Sequence, residues 1–133
     1  MGKKSSSFLY WFASIAVVII ILLYAVNVVL GPLNQDEGWY LLAGINTAQG
    51  MEPYKDFAYT QAPVLPYFYG VFSGLWAQAG VLGGRVFTAV LGVFGLFFVS
   101  VAAYCLAPKG RKGVAAIVAM SLLGLCPVYS YFT

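Results

Sequence analysis

Residues 63–84 read PVLPYFYGVFSGLWAQAGVLGG, a run without a single charge. Whether this run crosses a membrane or lies along its surface decides the fold. It is long enough to cross. Its composition argues otherwise. Pro66, Gly70 and Gly74 weaken a simple spanning helix. Tyr67, Phe68, Tyr69, Phe72 and Trp76 form an aromatic-rich stretch suited to the headgroup boundary. The reading that follows is a helix over 63–80 lying in the outer interface or partly re-entrant, with a fourth plain span as the alternative.

The rest of the 133-residue chain supplies the membrane. It is 62% apolar and 8% charged, with no His and two Cys. A soluble domain would be roughly 45–50% apolar and about 25% charged. The composition excludes a soluble globule, a disordered chain and a nucleic-acid module, because a net charge of +3 spread over a lipid-like sequence is no phosphate-binding footprint. A disulfide scaffold and a structural zinc site lack their ligands. An all-α integral membrane protein remains.

The charges then sort the topology. The cations are Lys3, Lys4, Lys55, Arg85, Lys109, Arg111 and Lys112. If 63–84 crosses, three cations face the cytoplasm and four face out; if it does not, five are cytoplasmic and two external. The second arrangement obeys the positive-inside rule better. It gives a cytoplasmic tail (1–7), a first span (8–30), a long external loop (31–85), a second span (86–107), a basic cytoplasmic turn (108–113) and a third span (114–132). Phe8 to Leu30 would be about 35 Å long as a helix, too long for the apolar core of a signal peptide, and no A-x-A-like cleavage site follows. Within the loop, Asn34 or Asp36 can N-cap a helix through about Gln49, with Gly50 as its C′ residue. Leu41, Ile45 and Ala48 share one face of it. Residues 51–62 read as irregular, and Gly80, Gly83 and Gly84 as the break before the second span. A bundle this thin is expected to be the N-terminal piece of a longer protein.

All four acids, Asp36, Glu37, Glu52 and Asp56, fall in the external loop. Asp36 and Glu37 suit a helix N-terminus, where the dipole favours carboxylates. That does not explain why every acid gathers at one membrane surface. Pro53-Tyr54-Lys55-Asp56-Phe57 sets a cation beside a carboxylate, with Tyr54, Phe57 and Tyr59 to hold them at headgroup depth. Ala89, Gly92 and Gly95 read as a helix-packing stripe, and Asn27 as a helix contact. Cys105 and Cys126 read as small apolar residues. The basic turn reads as a topology determinant, with contact to anionic lipids as an addition.

Together these segments resemble the N-terminal module of the GT-C membrane glycosyltransferases, in the protein O-mannosyltransferase (family 39) and aminoarabinose-transferase-like branch. The resemblance runs through Asp36-Glu37-Gly-x-Tyr40, Ala43, Gly50 to Pro53-Tyr54-x-Asp56-Phe57, Ala62-Pro63-x-x-Pro66-Tyr67 and Gly84-Arg85. It implies two juxtamembrane helices in the first external loop. It implies a multi-pass inner-membrane enzyme of the cell envelope with a cytoplasmic N-terminus. Its activity would be transfer of a sugar from a polyprenyl-phosphate donor to a lipid or protein acceptor. By this resemblance Asp36 is the catalytic base, with Glu37 beside it and Asp56 as a second carboxylate. Lys55, Tyr40, Tyr54, Gln61 and Arg85 are substrate-binding candidates. The aminoarabinose transferases carry a lysine just before the second juxtamembrane helix; here that stretch is Thr60-Gln61-Ala62-Pro63. The mechanism implied is an inverting displacement, in which a base takes the acceptor's proton and the lipid phosphate leaves. Cations, or a divalent ion such as magnesium or manganese, would neutralise that phosphate. The spacing does not require a metal, and no residue is assigned to one. A non-catalytic membrane subunit and a transporter fragment are the competing readings.

Overall fold

A computed structural model of the chain describes residues 3–32 and 35–126. Among these residues every element is helical: α1 (Lys3–Leu30), α2 (Gln35–Ala48), α3 (Val64–Val71), α4 (Ser73–Trp76), a 3-10 turn (Ala77–Ala79), α5 (Gly80–Leu106) and α6 (Lys112–Gly124). The only strand-like feature among them is an isolated bridge between Pro53 and Phe57. Among the described residues, Ser73–Leu106 is the one stretch long and apolar enough to cross a membrane by length and composition; Ser14–Leu30 and Lys112–Gly124 are shorter apolar helices.

The chain divides into two compact units, one from its two ends and one from residues 31–88. In the first, α1 buries Ala16, Ile20 and Tyr24 at a four-residue spacing, one face of the helix. Ile20 and Tyr24 form a core with Leu96 of α5, flanked by Ala89, Met120 and Leu123. At Gly124 of α6 an added Cβ would lie 2.8 Å from Ile20 Cδ1, so the glycine lets the helices close up. Many of the described apolar side chains are exposed, including Trp11, Phe98, Leu106 and Leu122. That is far more exposed apolar surface than a water-facing domain carries.

The second unit packs α2 against α3. Gly44 of α2 faces Tyr69, and Gly70 of α3 faces Thr47 and the Gly44 carbonyl; a Cβ at either glycine would come within 2.6 Å of its neighbour. The backbones therefore touch, and Thr47 Oγ1 donates across the gap to the Pro66 carbonyl at 2.7 Å. Leu41, Tyr69 and Trp76 form the core, with Ile45, Leu65 and Phe87 against it. Trp76 Nε1 donates to the Tyr69 carbonyl at 3.2 Å. The Tyr69 hydroxyl meets Thr88 Oγ1 at 2.7 Å, and Thr88 Oγ1 donates in turn to the Gly84 carbonyl at 2.9 Å.

Several boundaries differ from those expected. Helix α1 begins at Lys3, so most of the expected tail is helical. Helix α2 begins at Gln35, which puts Asp36 inside the first turn rather than at the cap; Asn34 lies outside the described residues. Gly50 is the C′ residue as expected: its φ is +87°, its N–H bonds the Thr47 carbonyl and the Met51 N–H bonds the Asn46 carbonyl, a Schellman motif. Ala48 is exposed; the buried positions of α2 are Leu41, Ala43 and Gly44, with Ile45 and Thr47 half-buried.

Residues 63–80 are not one helix. The chain breaks at Phe72, passes through the 3-10 turn and enters α5 at Gly80, whose φ of +59° and ψ of −137° suit only glycine. Gly83 and Gly84 lie inside α5, which starts six residues before the expected second span. They serve close approach: a Cβ at Gly83 would sit 2.0 Å from the Trp76 carbonyl, and one at Gly84 2.5 Å from a Leu41 methyl. Helix α6 starts at Lys112 rather than 114; residues 127–132 of the expected third span lie outside the described residues.

These clashes rank two substitutions. Gly83→Ala meets backbone and should cost about 1–3 kcal/mol. Gly84→Ala meets a side chain that can rotate and should cost less. Thermal unfolding of the detergent-solubilised protein, followed by circular dichroism, checks the order; equal melting of both variants and wild type contradicts the packing of 76–84.

Candidate functional site

Asp36 and Glu37 sit side by side in the first turn of α2. Adjacent positions on an α-helix differ by about 100° in direction, so the two carboxylates cannot share a role easily. Glu37 turns to Arg85 of α5: Arg85 Nε donates to Oε1 at 2.6 Å and Nη2 to Oε2 at 2.9 Å. The pair is mostly shielded from solvent, the side chains being 13% and 21% exposed. Arg85 also donates to the Gly31 carbonyl at 2.9 Å and the Pro32 carbonyl at 3.0 Å. One guanidinium fork thus joins the turn after α1, the start of α2 and the start of α5. Asp36 is exposed.

The second acidic cluster closes on itself. Asp56 Oδ2 accepts the Glu52 N–H at 2.8 Å, and the Asp56 N–H returns to the Glu52 carbonyl at 2.9 Å. Tyr54 sits within this loop at φ +70°, in the left-handed region that residues with a side chain seldom occupy. Its N–H bonds the Phe57 carbonyl, and its hydroxyl donates to the Gln61 carbonyl. Gln61 Nε2 in turn donates to the Tyr40 hydroxyl at 2.7 Å. Lys55 reaches Glu52 at 3.2 Å in an exposed pair that contributes little.

Besides Asp36, the candidates fall into three groups: Glu37 with Arg85; Tyr40, Gln61 and Tyr54 in one hydrogen-bonded chain; and Lys55 and Asp56 around Glu52. Among the described residues no three acids or cysteines converge on a point that could hold a metal ion.

Sequence reasoning missed Trp39. It stacks on Tyr59 at 4.8 Å between ring centroids with 29° between planes, and Tyr54 and Phe57 meet Tyr59 edge-on. Tyr59 is 4% exposed and its hydroxyl is buried without a hydrogen-bond partner. Burial first, and then the neighbouring phenols of Tyr40 and Tyr54, push its pKa above the ordinary tyrosine value. The position of Trp39 beside the acidic pair was the available signal.

Exchanging the ion pair, as Glu37→Arg with Arg85→Glu, should not restore stability lost in either single variant. A glutamate at 85 would face the Gly31 and Pro32 carbonyls with no donor. Each single variant should cost about 2–4 kcal/mol, less than a fully buried pair. A double variant melting with wild type would contradict this.

Tyr59→Phe should be neutral or stabilising by up to about 1 kcal/mol, since the lost hydroxyl had no partner. The fold favours the protonated phenol. Its contribution is therefore full below the unfolded pKa near 10 and is lost as pH rises through the folded value. Melting temperatures compared between about pH 8 and about pH 10.5 should fall less in Tyr59→Phe than in wild type.

Comparison of the chain with protein-family models, with curated proteins and with solved structures finds no match.

Proposed function

We propose that this chain is the N-terminal module of a multi-pass inner-membrane glycosyltransferase, with its N-terminus in the cytoplasm and the 31–85 loop on the external face. The membrane reading is supported by the long apolar stretch within Ser73–Leu106 and by the outward-facing apolar side chains of α1 and α5. Helix α1, at 28 residues, would reach about 42 Å, enough for a hydrocarbon core of about 30 Å. The 13 residues of α6 reach only about 20 Å, short of that core. The division of 63–80 into short pieces favours the interfacial reading of that segment over a fourth span.

The observation that carries the catalytic reading is that Asp36 is exposed beside a Glu37 shielded in its ion pair. Arg85 takes Glu37 out of the chemistry and fixes the first turn of α2. Asp36, exposed in that same turn, is held where a reacting group could meet it. As general base it would take the proton from an acceptor hydroxyl. The acceptor oxygen would bond to the anomeric carbon from the face opposite the carrier, and the anomeric carbon–oxygen bond would break with its electron pair leaving on the lipid phosphate. Lys55, exposed and only loosely held by Glu52, is the available counter-charge for that phosphate. The Tyr40–Gln61–Tyr54 chain offers hydroxyl and amide groups to a sugar. Glu37 and Arg85 act as positioning residues, and Asp56 as a loop-closing one.

In the gene product that contains this chain, Asp36→Asn should reduce sugar transfer from a polyprenyl-phosphate donor by at least 10²-fold, the scale of a lost general base. Membrane insertion should be unchanged. Activity retained in Asp36→Asn would overturn the assignment.

A further inference from the structure

The turn between α5 and α6 carries Lys109, Arg111 and Lys112 within four positions, and the chain has no acid after Asp56. Among the described residues no ion pair joins these three cations to a carboxylate, while Glu52 meets Lys55 and Glu37 meets Arg85. Lys109 and Arg111 are exposed. Lys112 is half-buried, its Nζ held 5.3 Å from the centroid of the Tyr104 ring. The charges also stand at an unfavourable place. Arg111 is the N-cap of α6 without a side-chain cap bond, and Lys112 opens the helix, where the dipole repels cations. An anion seated on the turn would relieve both effects.

The flanks say which anion. Leu106, 87% exposed, precedes the turn, and Val114, Val118 and Leu122 follow it with outward-facing side chains. A partner that covers this surface must be apolar on either side and anionic at the centre. A nucleic acid or a free phosphate meets only the charges. We propose that the 109–112 turn is a docking surface for the headgroups of anionic phospholipids, with their acyl chains against the flanking helices. This requires the chain to meet lipid; it does not require that the protein transfer a sugar.

Cys105 is exposed beside Tyr104 and provides the probe site. The 133-residue chain carrying Cys126→Ser, purified in neutral detergent, is labelled at Cys105 with an environment-sensitive dye. It is then titrated with phosphatidylglycerol, phosphatidylcholine or inorganic phosphate. Phosphatidylglycerol should shift the dye at a concentration at least tenfold below phosphatidylcholine, and added salt should weaken the response. Lys109→Gln, Arg111→Gln and Lys112→Gln combined should raise the midpoint on the order of a hundredfold, about fivefold for each charge near the surface. Lys109→Arg with Lys112→Arg should keep the wild-type midpoint. An unchanged midpoint in the triple variant, equal response to the two lipids, or saturation by inorganic phosphate alone would overturn the proposal. If the triple variant loses its helical signal, the salt series on the wild-type side chains decides. Loss of the response there says nothing against Asp36, and an inactive Asp36→Asn says nothing for the turn.

Discussion

A guanidinium has a flat fork of donors and no acceptor, so it must be surrounded by oxygen wherever water is withdrawn. Arg85 meets that requirement with two carboxylate oxygens and two carbonyls from separate segments of the chain. The carbonyls of Gly31 and Pro32 follow a helix and have no partner of their own within it. Their need and that of the arginine are met together. The position of α2 follows, because Glu37 is in its first turn, and with it the position of Asp36. Losing either partner would leave a charge shielded from water without compensation, which is why so few polar contacts can hold this loop in register.

What the fork fixes at one end, glycine fixes at the other. Gly44 and Gly70 bring the α2 and α3 backbones into contact, close enough for Thr47 to bond the Pro66 carbonyl. Tyr69 and Trp76 pack against Gly44 and Leu41 at this contact. The two devices differ in kind: the arginine is specific to its oxygens, whereas the glycine contact depends on nothing but the absence of side chains. The aromatic group around the buried Tyr59 ties the irregular 51–62 stretch to Trp39 of α2.

Much of the fold was legible in the residues, and what was not has definite causes. Gly50 could be placed as a helix terminator because a left-handed residue after an amphipathic stretch is a local requirement. Gly80, Gly83 and Gly84 could not be told apart: one turns the chain and two make room for Trp76 and Leu41, and those neighbours are not visible from sequence spacing. The exposure of Ala48 has the same origin, since the buried face was set by α3 rather than by apolarity alone. Asp36 and Glu37 look equivalent as letters. Their separation depends on an arginine 48 positions away. Asp56 reads in the sequence as a second carboxylate; its hydrogen bond from the Glu52 N–H, of the kind that acids in tight loops make, is not visible there.

The contact between Tyr69, Thr88 and Gly84 has a direction. A threonine hydroxyl owns one proton, and at Thr88 that proton is spent on the Gly84 carbonyl. The phenol of Tyr69 must therefore be the donor to Thr88, and the threonine oxygen must accept. The three groups form a one-way relay that ends on the backbone of α5. Serine could stand at position 88 and preserve its polarity. Valine, with nearly the same shape, could not: it would strand a largely buried phenol proton and release a helix carbonyl from its second bond. Shape and hydrophobicity would rank those two replacements in the opposite order.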